Sequence, residues 1–130
     1  MKHIPSMDQW ICEAKTEPDA YKVGMYLFHN GVVRSTPKAE VRENISGLPA
    51  VQKMYFTYDQ DAVEHYVRLT KAMDGIYYVR VWLNSGELVP GEDIMYVLIG
   101  GDIRPHVTAA LDFLVGNLKT HCVTEQEYSE

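Results

Sequence analysis

The strongest constraint in this chain is the stretch 107–118, where Val107, Ala110, Leu111, Leu114, Val115 and Leu118 recur at i, i+3, i+4, i+7 spacing over three turns. A stripe of this kind belongs to a helix that must bury one face. Pro105 stands in the first turn, where a missing N–H costs nothing, so Arg104 opens the helix, which ends near Lys119. A second helix is predicted over 60–74, with Ala62, Val63, Tyr66, Val67 and Met73 near helical spacing. Asp59 is its N-cap and Gly75 its C-terminal stop.

The surface these helices need is supplied by four segments rich in aromatic and branched residues. They are 23–33 (VGMYLFHNGVV), 51–58 (VQKMYFTY), 76–83 (IYYVRVWL) and 93–99 (DIMYVLI), and all four read as strands. Asn84-Ser85-Gly86 and Pro90-Gly91 are turn residues between the last two. Residues 34–50 carry Pro37, Gly47 and Pro49 among mixed charges and read as a long exposed loop, a feature that in compact domains is functional or disordered. Strands, helix, strands, helix in that order give an α+β domain. Nothing marks an internal boundary, so residues 1–130 are read as a single domain.

Charge narrows the function classes. The 130 residues hold 12 Lys+Arg against 18 Asp+Glu, a net charge of −6, which argues against a general nucleic-acid binder. A basic site must therefore be local. The N-terminal residues lack the apolar run of a signal peptide, and no stretch approaches the ~20 apolar residues that span a membrane, so a soluble cytoplasmic protein is expected. Cys12 and Cys122 have no zinc or redox spacing, and His121 beside Cys122 has too few neighbours to make a metal site. Neither a metal nor a cofactor is expected.

Three cations stand at element ends: Arg34 closes a strand, Arg104 opens the last helix and Lys119 closes it. Residues so placed can converge on a cleft, where an arginine fork holds a phosphate and a lysine acts as point charge or nucleophile. Lys119 is also favoured by the helix dipole alone, which contributes ~0.3–1 kcal/mol. Arg104 is at the wrong end for that benefit, so the dipole does not explain it. Gly24, Gly31, Gly86, Gly91 and the pair Gly100-Gly101 match neither common phosphate-loop spacing.

Taken in order, Gly24…Gly31-Val32-Val33-Arg34, Gly86-Glu87-Leu88-Val89-Pro90-Gly91-Glu92, and Arg104 opening a helix that runs to Leu118-Lys119 resemble the large, catalytic subunit of molybdopterin synthase. That family reads Gly-Ala-x-x-x-Phe-x-Gly-x-Val-Arg in a strand, Gly-x-Leu-x-x-Gly-Glu in a turn, and His-Arg before a helix leading to Leu-Lys. The resemblance implies an α/β-hammerhead type of fold with an antiparallel or mixed sheet and packed helices, and a homodimer. It also implies transfer of sulfur from a ubiquitin-like small subunit, through its C-terminal Gly-Gly thiocarboxylate, to cyclic pyranopterin monophosphate. By this resemblance Lys119 falls on the catalytic lysine, and Arg34 and Arg104 on substrate-binding arginines.

The likeness breaks after Lys119. Val123 stands at the family's Pro, Glu125 at its Trp and Gln126 at its second lysine, while Ile103 replaces the His before Arg104. Losing the lysine at Gln126 implies that an anion held by two lysines would meet one. Gln126 and the nearby thiol Cys122 are accessory candidates. The alternative to a working synthase is a catalytically weakened relative that acts as a homodimeric binding or regulatory protein. A phosphate-binding module unrelated to sulfur transfer is a third reading.

Overall fold

The computed structural model describes residues 3–44 and 46–129. Its centre is a strand whose residues 94–101 are all buried: β5, Asp93–Gly101. An unbroken apolar run such as IMYVLI is stable only with both faces covered. β1 (Met25–Val32) and β3 (Ile76–Leu83) flank it, both antiparallel, in the order β1-β5-β3. A second antiparallel sheet has β2 (Lys53–Tyr58) between β4 (Gly86–Leu88) and β6 (Val123–Tyr128).

On one face of the first sheet lie α3 (Gln60–Lys71) and α4 (Arg104–Asn117). The predicted stripe is the buried face of α4: Val107, Ala110 and Leu114 are fully enclosed, as is Leu118 just beyond the helix. Each such aliphatic side chain contributes roughly 1.5–3 kcal/mol relative to exposure. The helix can come this close because residue 101 is glycine. A Cβ there would stand 2.6 Å from the Val107 side chain and 2.7 Å from the Gly75 carbonyl oxygen. Asp59 caps α3 as expected, accepting from the Ala62 N–H at 3.2 Å, and Gly75 follows the helix with φ +76°, a region that strains any L side chain. The same apolar core continues through Val33, Met54, Phe56 and Leu88, which ties the second sheet to the first.

The opposite face of β5 is covered by α1 (Met7–Ala14). Trp10 and Ala14 are buried there with Tyr96 and Leu98, and Trp10 meets the rings of Phe28 and Tyr96 edge-on at 6.2 and 6.1 Å. Arg80 lies over the Trp10 ring at 4.5 Å and pairs with Glu13 at 2.6 Å.

The α+β class stands, with corrections. The strands form two sheets, every pair antiparallel, with no mixed pairing among the described residues. α1, β4, β6 and a short 3₁₀ turn at Ala20–Lys22 add to the predicted elements. The 34–50 loop contains a five-residue helix, α2 (Lys38–Arg42). Among the described residues no helix is long and apolar enough to cross a membrane.

Candidate anion-binding site

Between the two sheets, at the C-terminal end of α4, the chain makes a wide π-helical turn, Leu118–Cys122. Such turns are rare and occur frequently at functional sites. Leu118 and Cys122 are the buried positions of the turn, so Lys119 between them points away from the core. It reaches a cavity of about 110 Å³ lined also by Arg34, Lys38, Arg42, Glu125 and Glu127, with apolar walls from Val32, Met54 and Ile94.

Each polar group arrives for a local reason. Arg34 follows the buried Val33, whose N–H donates to the Glu92 carbonyl at 2.9 Å and whose carbonyl accepts from Gly91 at 2.8 Å. One residue on, the Ser35 carbonyl accepts from the Val51 N–H at 2.7 Å, so the intervening loop leaves and returns at one point. α2, inside that loop, contributes Lys38 and Arg42. On β6 the side chains alternate, and Met54 and Phe56 of β2 stand opposite Glu127 and Glu125. Two of the three inward positions of β6 are thus carboxylates, Val123 being the third.

The electrostatics follow from that alternation. Glu125, its side chain only 12% exposed, accepts from Lys38 at 3.2 Å and lies 3.6 Å from the Lys119 ammonium. Glu127 accepts from the Lys38 backbone N–H through both carboxylate oxygens at 3.1 and 3.2 Å, which fastens the start of α2 to β6. Arg34 donates to the Thr36 carbonyl at 3.2 Å, and among the described residues neither Arg34 nor Arg42 is in an ion pair. Four cations and two carboxylates leave the cavity net positive inside an acidic protein. Beside it on β1, burial pushes the His29 imidazole below its usual pKa, and the Lys119 charge adds to the effect.

Arg34 and Lys119 therefore share a site. Arg104 does not: it opens α4 at the far end, and 15 residues at 1.5 Å rise put it roughly 22 Å from Lys119 along the helix. Gln126 lies on the exposed outer side of β6, opposite Tyr55, so the missing second lysine is not a gap in this cavity. Cys122 is in the core, where burial, with Asp59 nearby, raises its thiol pKa. It does not line the cavity. Lys38, Arg42, Glu125 and Glu127 were not singled out by sequence as members of the site. The one available signal was the density of charge in 34–50, a loop long enough to fold over something.

A wider groove of about 390 Å³ runs between residues 3–6 and β3, but its charged pair, Arg80 and Glu13, is already mutually satisfied. Among the described residues no group of three or more His, Cys, Asp or Glu is arranged to hold a metal.

Solved structures resemble this fold over nearly the whole chain. Molybdopterin synthase from Staphylococcus aureus superposes with a TM-score of 0.73 at 11% identity, covering 97% of this chain and 86% of that one. The chain shares the fold of that protein. A molybdopterin biosynthesis MoaE protein from Burkholderia ambifaria gives 0.72 at 17% identity, covering 99% of this chain and 83% of that one. A complex of subunits 1 and 2 of molybdopterin-converting factor from Helicobacter pylori gives 0.64 at 13% identity, covering 96% and 80%. No protein-family model and no curated protein matches the chain by sequence.

Proposed function

We propose that this protein works in molybdenum cofactor biosynthesis as a molybdopterin synthase large subunit. It would transfer sulfur from the thiocarboxylate tail of a ubiquitin-like small subunit to cyclic pyranopterin monophosphate. The observation that carries the reading is the meeting of Arg34 and Lys119, far apart in sequence, in one net-positive cavity on this fold.

The chemistry fits the residues. Arg34 and Arg42, neither of them in an ion pair among the described residues, would present guanidinium groups to the substrate's phosphate. Lys119 lines the same cavity, where an ammonium would stabilise negative charge as sulfur changes hands. At about 110 Å³ the cavity takes an anionic end group, since sites for whole small molecules run ~300–1,000 Å³. The remaining substrate surface must be covered by something else. A second copy of the chain and the small subunit are the covers this reading supplies, and the solved complex of subunits 1 and 2 supports the latter. Arg104, remote from the cavity of its own chain, would serve a site only across such a homodimer. A cytoplasmic setting accompanies the pathway.

The test is a sulfur-transfer assay read by mass spectrometry, using a thiocarboxylated small subunit and the pterin precursor. Product formation that Lys119→Ala abolishes is the expected result. A wild type that binds the small subunit yet never turns over would instead establish the second reading, a weakened relative retained for binding or regulation. The Lys119–Glu125 ion pair at 3.6 Å is the observation that favours it.

A further inference from the structure

The four cations of the cavity are not equivalent. Lys38 and Lys119 share one carboxylate, Glu125, at 3.2 and 3.6 Å, and that carboxylate is almost wholly enclosed. Arg34 and Arg42 line the same cavity with no carboxylate partner among the described residues. The position of Glu125 follows from the strand: with Phe56 opposite it and Val123 and Glu127 on the same side, its side chain turns inward.

We propose that Glu125 is a specificity-determining residue, an internal anion that occupies the lysine end of the cavity and confines an incoming phosphoryl group to Arg34 and Arg42. An anion approaching Lys119 has to displace a carboxylate already held by two ammonium groups in a confined site. An anion approaching the arginines has no carboxylate to displace. For a phosphate ester this fixes which end enters where, and it leaves Lys119 unspent until a second carboxylate-like group, exchanging with Glu125 at nearly equal charge, arrives. The inference rests on the reading of the cavity as an anion site and adds to it a division of labour.

The division makes a prediction that a purely structural role for Glu125 does not. Sulfate, a dianion across the working pH range, is the probe, titrated at low chloride by isothermal calorimetry or amide chemical shifts. In the wild type, Arg34→Gln or Arg42→Gln should weaken sulfate binding about tenfold, the scale of one charge-assisted contact. Lys119→Gln should change it by less than about threefold, because that lysine is already neutralised. Glu125→Gln should strengthen sulfate binding about tenfold, and in that background Lys119→Gln should reverse the gain. Glu64→Gln, an equal charge change at an exposed site on α3, controls for net charge.

The coupling between positions 119 and 125 decides the matter. Equal effects of Lys119→Gln in both backgrounds overturn the proposal while leaving the arginine site intact. Sulfate binding insensitive to Arg34→Gln overturns the anion cavity itself. Should Glu125→Gln unfold the chain, Lys38→Gln provides the second route: Lys38 is held by the same carboxylate as Lys119, which keeps Lys119 as its partner, so this single replacement must also be nearly silent toward sulfate. A tenfold loss there overturns the proposal.

Discussion

At the residue scale, the charges around Lys119 decide what can be measured. His29 titrates below the ordinary histidine value of ~6.5 because burial and then the Lys119 ammonium disfavour its charged form. Replacing Lys119 with Met removes the second cause and should move the His29 midpoint upward in an NMR titration, without restoring it fully, since burial remains. The sign for stability follows. The folded chain resists a proton that the unfolded chain accepts, so this contribution is complete above ~6.5, falls as pH drops below it, and levels off once the folded-state pKa is passed. An unchanged His29 midpoint in Lys119→Met would show that the two groups do not share a field. Arg34 and Lys119 were legible as site residues because each ends a patterned element. Glu125 and Glu127 were not, because inward-facing carboxylates break the alternation that identifies a strand, so β6 itself went unread.

Among the elements, the two long helices announce themselves by period and four strands by their aromatic and branched residues, whereas α1 does neither. It has eight residues, too few for a repeat, and only Trp10 and Ala14 of its apolar side are fully buried. The legible signal was its cap: Ser6 accepts from the Gln9 N–H at 3.2 Å, the Ser-x-x-Gln spacing of a capping box. Trp10 is what fastens this helix to β5. Trp10→Ala should therefore cost roughly 3–5 kcal/mol, read as a lower urea midpoint at unchanged m-value. Asp59→Ala at the start of α3 should cost about 0.5–2 kcal/mol by the same measurement. A Trp10→Ala variant as stable as the wild type would mean that α1 rests on the sheet without holding it.

For the molecule as a whole, β1 and β3 are open edges of the first sheet, and α1 covers only part of the aromatic face formed by Tyr26, Phe28, Tyr78 and Trp82. A homodimer should be visible by light scattering at micromolar concentration, with a stable monomer as the contrary result. The pinch between Ser35 and Val51 has a different consequence. Because the loop starts and finishes at a single backbone hydrogen bond, its interior is a cassette: adding or removing residues between positions 36 and 50 changes the closing entropy only logarithmically, by ~0.6 kcal/mol per doubling of length. Evolution can thus exchange the cations that α2 offers, or the reach with which it offers them, while both sheets and the helix that carries Lys119 stay as they are.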